Sequence, residues 1–380
     1  MKKSIAFVQN FCTHYTKGFF ETLSKNFDID FLFYSIGGES YWMSQHGYKT
    51  GDFNYEYLPG FRFRGIQLSY ILPIRLLQKK YHVYIASING RFALPITYLI
   101  ARYRRKPFIL WTGIWMRIQT PAHRLFFRLT RYIYRHSNAV VVYGEHIRRY
   151  LISEGVDPGK IFIASHAIDN ELYRKLVPFD TKIALRNKLE ILPESKIILY
   201  LGRLEDGKGI PYLLEALRQC KDRDAVLVLA GDGEEREFLE TQAREMGIID
   251  KIRFAGYVPI EKAIEYYSIA WLFVLPSITT KTFKEPWGLV INEAFNQGVP
   301  VVVTDAVGAA AGGLVEDEIN GLIVPERDSV ALGKAIDIIL SQPELRASMS
   351  SRCREKIYSW NHEKMANGFH QAINSVINNK

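Results

Sequence analysis

The stretch IILYLGRLEDGKGIP occupies residues 197–211 and joins five apolar residues to a segment with three glycines and a final proline. An apolar run without polar alternation is typical of a parallel strand buried on both faces. Glycine favours a tight turn, and proline is favoured in the first turn of a helix. The stretch therefore predicts a buried strand, a glycine-rich turn and a helix, in that order.

The same alternation of apolar runs and helical patterns extends through the chain. A strand, a helix and a further strand in succession indicate right-handed βαβ crossovers. Two such series predict an α/β protein with two Rossmann-like, doubly wound domains that face each other across a cleft, with ligands beyond the carboxyl ends of the strands. The predicted strands are residues 5–8, 29–34, 83–86, 108–111, 139–143, 161–164, 197–201, 225–230, 252–255, 271–275, 299–303 and 322–324.

The charge distribution separates the two halves. Residues 1–175 contain 25 Lys and Arg against 11 Asp and Glu, although the whole chain has a net charge of only +9. The sign changes near residues 173–180, where Pro178 interrupts the pattern. We therefore place the end of the first domain at residue 175. Residues 62–149 contain 17 basic residues and one acid, and such a region usually faces a polyanion.

The composition excludes several classes of protein. With 48% hydrophobic and 23% charged residues, the chain is neither disordered nor collagen-like. Its three cysteines form no CxxC pair, so we expect neither a disulfide framework nor a zinc site. The apolar run after Lys3 is too short for a signal peptide, and no run approaches the roughly 20 residues that cross a bilayer. We expect a cytoplasmic protein, peripheral on a membrane if it binds one.

The segment EPWGLVINE at residues 285–293 is the strongest functional signal. It follows a predicted strand, and Gly288 opens a helix whose first N–H groups, at Gly288 and Leu289, point towards an anion. Glu285 precedes the helix and is suited to accept hydrogen bonds from sugar hydroxyls. Glu293 lies further along the helix and is suited to a ribose diol. The competing interpretation is a capping acid and a surface glutamate.

Two further turns follow predicted strands. Gly202 begins a turn that carries Arg203 and Lys208, and two cations at a strand end suit a diphosphate. Gly231 and Asp232 follow the next strand, where small residues let a flat ring approach the backbone. Each turn alone is equally consistent with a solvated glycine-rich connection. The GxxxxGK[ST] pattern of a P-loop is absent from the sequence.

The order GRLxxxKG, GDG, FAGY, LPS, EPWGLVINEA, GVPVV and NGLIVP resembles the retaining glycosyltransferases of family 4, which have the GT-B fold. The resemblance is dense from about residue 163 to residue 360. The segment SHAID at 165–169 resembles the family's domain-joining segment, and Ser359-Trp360 resembles the turn into its last helix. The resemblance implies an acceptor-binding domain over residues 1–175, a nucleotide-sugar domain over 176–360 and a helix over 361–380 that crosses back.

The resemblance also implies roles for the donor residues. The diphosphate is expected at Arg203 and Lys208, with N–H groups from Gly288 and Leu289. The transferred sugar is expected at Glu285, which with the two cations forms the catalytic set. No cofactor is implied, and no DxD pair stands where a metal would be needed. The remaining donor-binding candidates are Glu293 at the ribose and Gly202, Gly231, Asp232 and Tyr257 around the nucleotide.

The first half departs from the family pattern. The loop NFCTHYTKG at residues 10–18 has a single glycine, Gly18, where the family has several that approach the phosphate, so Gly18 is the donor-binding candidate of this loop. The family's histidine after the fourth strand is absent, and Thr112 and Gly113 occupy that place. His14 is a candidate substitute, although a lone histidine in a polar loop is more often structural. We assign His14, Thr112 and Gly113 to the acceptor or sugar side.

A cationic helix is predicted after Thr120-Pro121, a favourable N-cap and first position. Its arginines, Arg124, Arg128, Arg131 and Arg135, have a spacing that predicts one basic stripe. Basic residues close to apolar ones suit an anionic membrane, which suggests a lipid-linked acceptor in envelope polysaccharide or glycolipid synthesis. The alternative to membrane binding is a helix that packs its apolar face on the sheet and exposes its arginines to solvent.

Three other functions compete with transfer to a lipid-linked acceptor. The same fold acting on a soluble acceptor would use the basic face for the acceptor's own phosphate. A nucleotide-sugar epimerase also has two Rossmann-like domains, but the set of Arg203, Lys208, Glu285 and Glu293 argues against it. A nucleic-acid-binding protein is disfavoured because no such motif is present.

Overall fold

The computed structural model describes residues 3–35, 51–63, 66–89 and 91–378. The chain divides into two compact units, one formed by Met1–Ile168 with Trp360–Lys380 and the other by Asp169–Ser359. The strands are β1 (Ser4–Gln9), β2 (Asp28–Phe33), β3 (Tyr55–Tyr57), β4 (Phe61–Phe63), β5 (Ile66–Leu68), β6 (Val83–Ser87), β7 (Phe108–Thr112), β8 (Ala139–Val142), β9 (Ile161–Ile163), β10 (Ile197–Leu201), β11 (Val226–Ala230), β12 (Ile252–Gly256), β13 (Leu272–Leu275), β14 (Val301–Thr304) and β15 (Gly321–Val324).

Helices alternate with these strands through most of both units. They are α1 (His14–Ser24), α2 (Ile71–Gln78), α3 (Ala93–Tyr103), α4 (Pro121–His136), α5 (Glu145–Ser153), α6 (Asn170–Tyr173), α7 (Phe179–Lys188), α8 (Ile210–Gln219), α9 (Arg236–Glu245), α10 (Ile260–Ile269), α11 (Leu289–Asn296), α12 (Gly308–Ala311), α13 (Ser329–Ser341), α14 (Pro343–Tyr358) and α15 (His362–Asn378). Short 3-10 helices span Pro158–Lys160 and Ile249–Lys251.

The first unit is built on a seven-stranded parallel sheet with the order β3-β2-β1-β6-β7-β8-β9. Every residue of β1 and β7 is buried, as their apolar sequences require. The C-terminal helix α15 packs on this sheet, where the ring of Phe369 lies 4.9 Å from Phe19 and 5.5 Å from Trp111. Gly368 permits this packing because a Cβ there would lie 2.3 Å from the carbonyl oxygen of Ile163.

The second unit has a six-stranded parallel sheet with the order β12-β11-β10-β13-β14-β15. In this order the first strand of the unit, β10, lies between β11 and β13. The chain runs outward in one direction from β10 to β12 and then in the other from β13 to β15. The loops after β10 and β13 therefore diverge at the carboxyl edge, which is the position where doubly wound sheets bind ligands.

The prediction of two doubly wound parallel sheets is confirmed, and each predicted strand overlaps an observed one. The sequence reasoning missed the edge strand β3 and the antiparallel pair β4 and β5, each of three residues. These strands are too short and too exposed to show a period.

The division between the units lies before the predicted residue 175. The side chain of Asp169 caps α6 by accepting from the N–H groups of Glu171 and Leu172. Asn170 then donates to the carbonyl of Ile357 at 3.0 Å. These bonds attach α6 to the second unit, whereas the change of charge and Pro178 come later in the sequence. Across the described residues, no helix is both long and apolar enough to span a bilayer.

Candidate functional site

The loops after β10 and β13 bring Lys208 and Glu285 together. Lys208 Nζ donates to Glu285 Oε2 at 2.5 Å, and Ser277 Oγ donates to the same oxygen at 3.3 Å. Only 14% of the lysine side chain and 10% of the glutamate side chain are exposed. The two residues that the sequence analysis assigned to the diphosphate and the sugar thus form one buried ion pair at the switch point of the sheet.

The loop that carries Lys208 is fixed against the loop after β13. The N–H of Ile278 donates to the carbonyl of Gly207 at 2.8 Å, and Lys208 Nζ lies 4.9 Å from the centre of the Phe283 ring. Gly209 starts α8 with a φ of +68°, and a Cβ there would lie 2.0 Å from the carbonyl oxygen of Pro276. This glycine is therefore required by both its backbone angle and its neighbour.

The turns after β10 and β11 are also joined by their backbones. Gly202 N donates to the carbonyl of Ala230, and Leu204 N donates to the carbonyl of Asp232, both at 3.0 Å. A Cβ on Gly231 would lie 1.8 Å from the carbonyl oxygen of Gly202. This close approach holds the turn that carries Arg203 at the carboxyl edge of the sheet.

Arg203 is half-buried and lies beside an acid that the sequence analysis did not single out. Its Nη1 donates to Glu205 Oε1 at 2.5 Å. Its carbonyl accepts at 2.6 Å from the hydroxyl of Tyr200, whose pKa is raised by burial and by the nearby Glu285 carboxylate. An incoming anion would therefore compete with Glu205 for Arg203 and with Glu285 for Lys208.

Helix α11 begins at Leu289, and Gly288 precedes it in the left-handed conformation with a φ of +91°. A Cβ on Gly288 would lie 2.8 Å from a methyl carbon of Leu275. The glycine is therefore needed for the entry into the helix, where the first N–H groups have no partners inside the helix. The helix stops at Asn296, and Gly298 just beyond its end has a φ of +69°, which favours glycine.

Glu293 lies inside the second unit. It is 7% exposed, and its Oε2 accepts from the hydroxyl of Tyr267 at 2.8 Å. Burial raises the pKa of Glu293 to about 7, and hydrogen bonds from Tyr267 and Tyr173 oppose that rise. The carboxylate is thus an oriented internal group, whereas the competing interpretation was a surface glutamate.

The other nucleotide candidates lie after neighbouring strands. Asp232 is exposed after β11, and its Oδ1 accepts from Gly233 N at 2.9 Å. Tyr257 follows β12 and is half-buried, and burial followed by the charge of Glu261 raises its pKa. Both residues therefore stand at the carboxyl edge on the β11–β12 side of the sheet.

The sequence analysis missed the groups that orient the site. Most of these groups come from distant parts of the chain. The tyrosines and the phenylalanine among them cannot be told from core residues by sequence. Only the glutamate close to Arg203 carried a local signal. These groups are Tyr173, Glu205, Tyr267, Ser277 and Phe283. No group of three or more His, Cys, Asp or Glu side chains that could hold a metal ion occurs among the described residues.

The glycines assigned in the first unit have packing roles. Gly18 lies inside α1, and a Cβ there would lie 2.5 Å from Nδ1 of His362 on α15. A Cβ on Gly113 would lie 2.3 Å from the ring of Tyr143. In both cases a side chain of the same unit occupies the space next to the glycine. Contacts with side chains account for both glycines, so the geometry gives no support to a ligand role for either.

The two polar candidates of the first unit are inside or at the edge of its core. Thr112 is 1% exposed, and its Oγ1 accepts from Ile114 N at 3.2 Å. Its hydroxyl thus has a partner within the protein, and the assignment of Thr112 to the acceptor or sugar side stays a prediction. His14 is the first residue of α1, after the N-cap Thr13, and its ring lies 5.0 Å from that of Tyr15.

The arginines of the predicted basic stripe on α4 differ in their contacts. The predicted N-cap is confirmed, because Thr120 accepts from His123 N at 3.2 Å. The C-terminal arginines are bound to Glu154, where Arg131 lies 3.2 Å from the carboxylate and Arg135 donates to the carbonyl at 2.7 Å. All four arginines lie on this helix, and the interpretation of their spacing as one basic stripe stays a prediction. Arg135 remains exposed despite its bond to Glu154, and so do Arg124 and Arg128 nearer the start of the helix.

The apolar residues of α4 are exposed beside Arg124 and Arg128. Leu125 is 74% exposed, and Phe126, Leu129 and Tyr132 are 44–50% exposed. Only Ile133 and Tyr134 of this helix are buried. The alternative in which the apolar face packs on the sheet therefore describes only the C-terminal part of this helix, where Ile133 and Tyr134 join the core. We call Arg124, Leu125, Phe126, Arg128 and Leu129 the α4 surface.

Comparison with known proteins gives two family matches. The family described as glycosyl transferases group 1 matches residues 181–356, and glycosyltransferase family 4 matches residues 38–172. Together these matches cover most of both units.

Individual relatives match over part of their length. An uncharacterized glycosyltransferase of Methanocaldococcus jannaschii is 32% identical over 48% of this chain and 46% of its own. The lipopolysaccharide core biosynthesis glycosyltransferase LpsE of Rhizobium meliloti is 31% identical over 45% of this chain and 47% of its own. The chain thus spans about half the length of the curated relatives it matches. The crystal structure of Anabaena HepE in complex with UDP has the same fold, with a TM-score of 0.77, 20% identity and coverage of 98% and 100% of the two chains.

Proposed function

We propose that this chain, which belongs to the family 4 glycosyltransferases of the GT-B fold, transfers a sugar from a nucleoside diphosphate sugar to an acceptor hydroxyl with retention of configuration. The observation that carries the proposal is the buried pair of Lys208 and Glu285 at the switch point of the second sheet. The cation that we assign to the diphosphate there contacts the carboxylate that we assign to the sugar. UDP is the leading candidate for the nucleotide, because HepE binds it.

The proposed reaction breaks the bond between the anomeric carbon and the diphosphate oxygen. The leaving group gains negative charge in an oxocarbenium-like transition state, so Arg203, Lys208 and the N–H groups at the start of α11 bind it more strongly there than in the ground state. The acceptor oxygen bonds to the anomeric carbon on the same face, and the departing phosphate takes its proton. Glu285 accepts from the sugar hydroxyls and is not cast as a nucleophile. The proposal requires no metal ion.

A panel of nucleoside diphosphates scored by thermal shift tests donor binding. A ligand at 100 times its Kd stabilises the folded protein by about 2.7 kcal/mol, so one member should raise the Tm by several degrees. The matching nucleotide sugars are then assayed for hydrolysis. DNA serves as the control ligand and should give no shift. The proposal fails if no nucleoside diphosphate stabilises the protein.

We further propose that the acceptor is lipid-linked and that the α4 surface docks on an anionic membrane. The exposed leucines and phenylalanine beside Arg124 and Arg128 support this proposal, because a solvated helix gains nothing from exposing them. Elsewhere in the first unit, Phe61 and Phe63 of β4 are also more than half exposed. LpsE acts in lipopolysaccharide core biosynthesis, which is consistent with an envelope glycan.

Sedimentation with phosphatidylglycerol vesicles at rising salt tests the α4 surface. We expect binding at low salt and its loss in the double variant Arg124→Glu, Arg128→Glu, because each basic residue near the surface contributes about 1 kcal/mol. Lys334→Glu, an exposed charge reversal in the second unit, is the control and should bind normally. Absence of vesicle binding by the unaltered protein at low salt would favour a soluble acceptor whose own phosphate meets the basic residues.

A reaction without acceptor distinguishes a transferase from the alternative, a nucleotide-sugar epimerase. A transferase incubated with nucleotide sugar alone returns the sugar unchanged or hydrolysed. Accumulation of an epimer of the donor would instead assign the pair of Lys208 and Glu285 to epimerisation.

A further inference from the structure

The carboxylate of Glu293 is held by tyrosines from two other helices of the second unit. The hydroxyl of Tyr267 on α10 donates to Oε2 at 2.8 Å, and Tyr173 on α6 also acts on the carboxylate and lowers its pKa. Tyr267 has no exposed surface, and Tyr173 is 3% exposed. Packing alone does not call for this arrangement, since apolar side chains of similar volume would avoid the cost of desolvating a carboxylate.

We propose that Tyr267, with Tyr173, is a positioning residue that fixes the Glu293 carboxylate as an acceptor for the vicinal hydroxyls of the donor's ribose. This inference rests on the proposed function, in which Glu293 meets the ribose. A carboxylate offers about four lone-pair sites. Tyr267 uses one of them, so enough remain to accept from a diol. The tyrosines are thus suited to orient the group without occupying its binding capacity.

The role of the Tyr267 hydroxyl depends on pH. Burial raises the pKa of Glu293 to about 7, and the hydrogen bonds of Tyr267 and Tyr173 hold it below the value that burial alone would give. Without the Tyr267 hydroxyl the pKa rises further, so more of the carboxyl is protonated at pH 7. A protonated carboxyl is a weaker acceptor for two hydroxyls, and alkaline pH restores the ionised form.

Few other charges face this carboxylate. Glu261 on α10 and Asp169 before α6 act on Tyr173 and raise its pKa after burial and Glu293 itself. On α14, which packs along α11, Arg354 donates to the carbonyl of Gln297 beyond the C-terminal end of α11. The pH dependence is therefore assigned to Glu293 and its two tyrosines.

Calorimetry with the Tyr267→Phe variant tests the proposal. The probes are UDP and GDP, each compared with its 2′-deoxy form at pH 7 and pH 9. The unaltered protein should prefer the ribonucleotide that it binds by about 10–100-fold, as expected for a hydroxyl bonded to a charged group. In the variant, the ratio of the two affinities should be about tenfold smaller at pH 7 and should return to that of the unaltered protein at pH 9. Titration of the diphosphate cancels, because both probes carry it.

Two further variants complete the experiment. Tyr266→Phe makes the same change on the same helix at a buried neighbour and should leave the preference unaltered at both pH values. Glu293→Gln should remove the preference at both.

The possible failures are distinguishable. If neither diphosphate binds, the proposed function falls, and this inference falls with it. If Glu293→Gln loses the preference while Tyr267→Phe retains it at pH 7, only the inference is overturned. An equal loss in Tyr267→Phe at both pH values would show that the hydroxyl has a structural role alone, which also overturns the inference.

Discussion

Replacing Glu285 by Gln is expected to lower kcat by about 30–1000-fold, equivalent to about 2–4 kcal/mol of transition-state stabilisation. The amide keeps the shape and one acceptor oxygen of the carboxylate but removes its charge. The carboxylate oxygen Oε2 lies 2.5 Å from Lys208 Nζ and also accepts a hydrogen bond from Ser277 Oγ. In the variant the sugar hydroxyls lose a charged acceptor at the reacting centre.

Nucleotide binding should respond differently from kcat in this variant. The lysine is no longer paired with a carboxylate, so the affinity for the nucleoside diphosphate is expected to stay the same or to increase. Steady-state kinetics and calorimetry together measure this split. Glu237→Gln on α9, an exposed position of the same unit, is the matched control and should leave both quantities unaltered. Normal turnover by the Glu285→Gln variant would remove the central claim.

The substitution Gly231→Ala is expected to destabilise the second unit by about 3 kcal/mol or more. The new Cβ would lie 1.8 Å from the carbonyl oxygen of Gly202, which no side-chain rotation relieves. The two turns cannot separate freely, because Gly202 N donates to the carbonyl of Ala230. Calorimetry should show a Tm lower by about 6–12 °C for a unit of this size.

Activity should fall with stability in the Gly231→Ala variant, because the same contact holds the turn that carries Arg203. Gly333→Ala is the matched control. Gly333 lies inside α13, and its nearest neighbour would be 3.4 Å from a Cβ, which is ordinary contact. This control should keep or slightly raise the Tm, since alanine favours helices over glycine by up to about 1 kcal/mol. Equal Tm values for Gly231→Ala and the unaltered protein would contradict the geometry at the two turns.

The sequence was a reliable guide where the signal is local. A run such as residues 197–201 is apolar at every position, and in water such a run is stable only as a strand covered on both faces. Glycine and proline then mark the turn and the helix start that follow. The positions of Gly288 and Gly298 at the two ends of α11 follow from the same local chemistry.

Local signals failed where a residue is shaped by a distant neighbour. No short pattern showed that Gly18 packs against the side chain of His362 or that Gly113 packs against that of Tyr143. The arginine spacing on α4 did not reveal that Glu154 binds two of the four arginines. Such contacts join positions that no short period relates.

The sequence by itself determined two doubly wound sheets and the order of the loops at their edges, because apolar runs and turn residues act over a few neighbouring positions. Only the tertiary structure decided which side chains meet at those edges. Lys208 and Glu285 are 77 positions apart, and Tyr267 and Glu293 are 26 apart. These pairs form because strand order and packing close long loops, and the desolvation that makes them effective exists only after the core has formed.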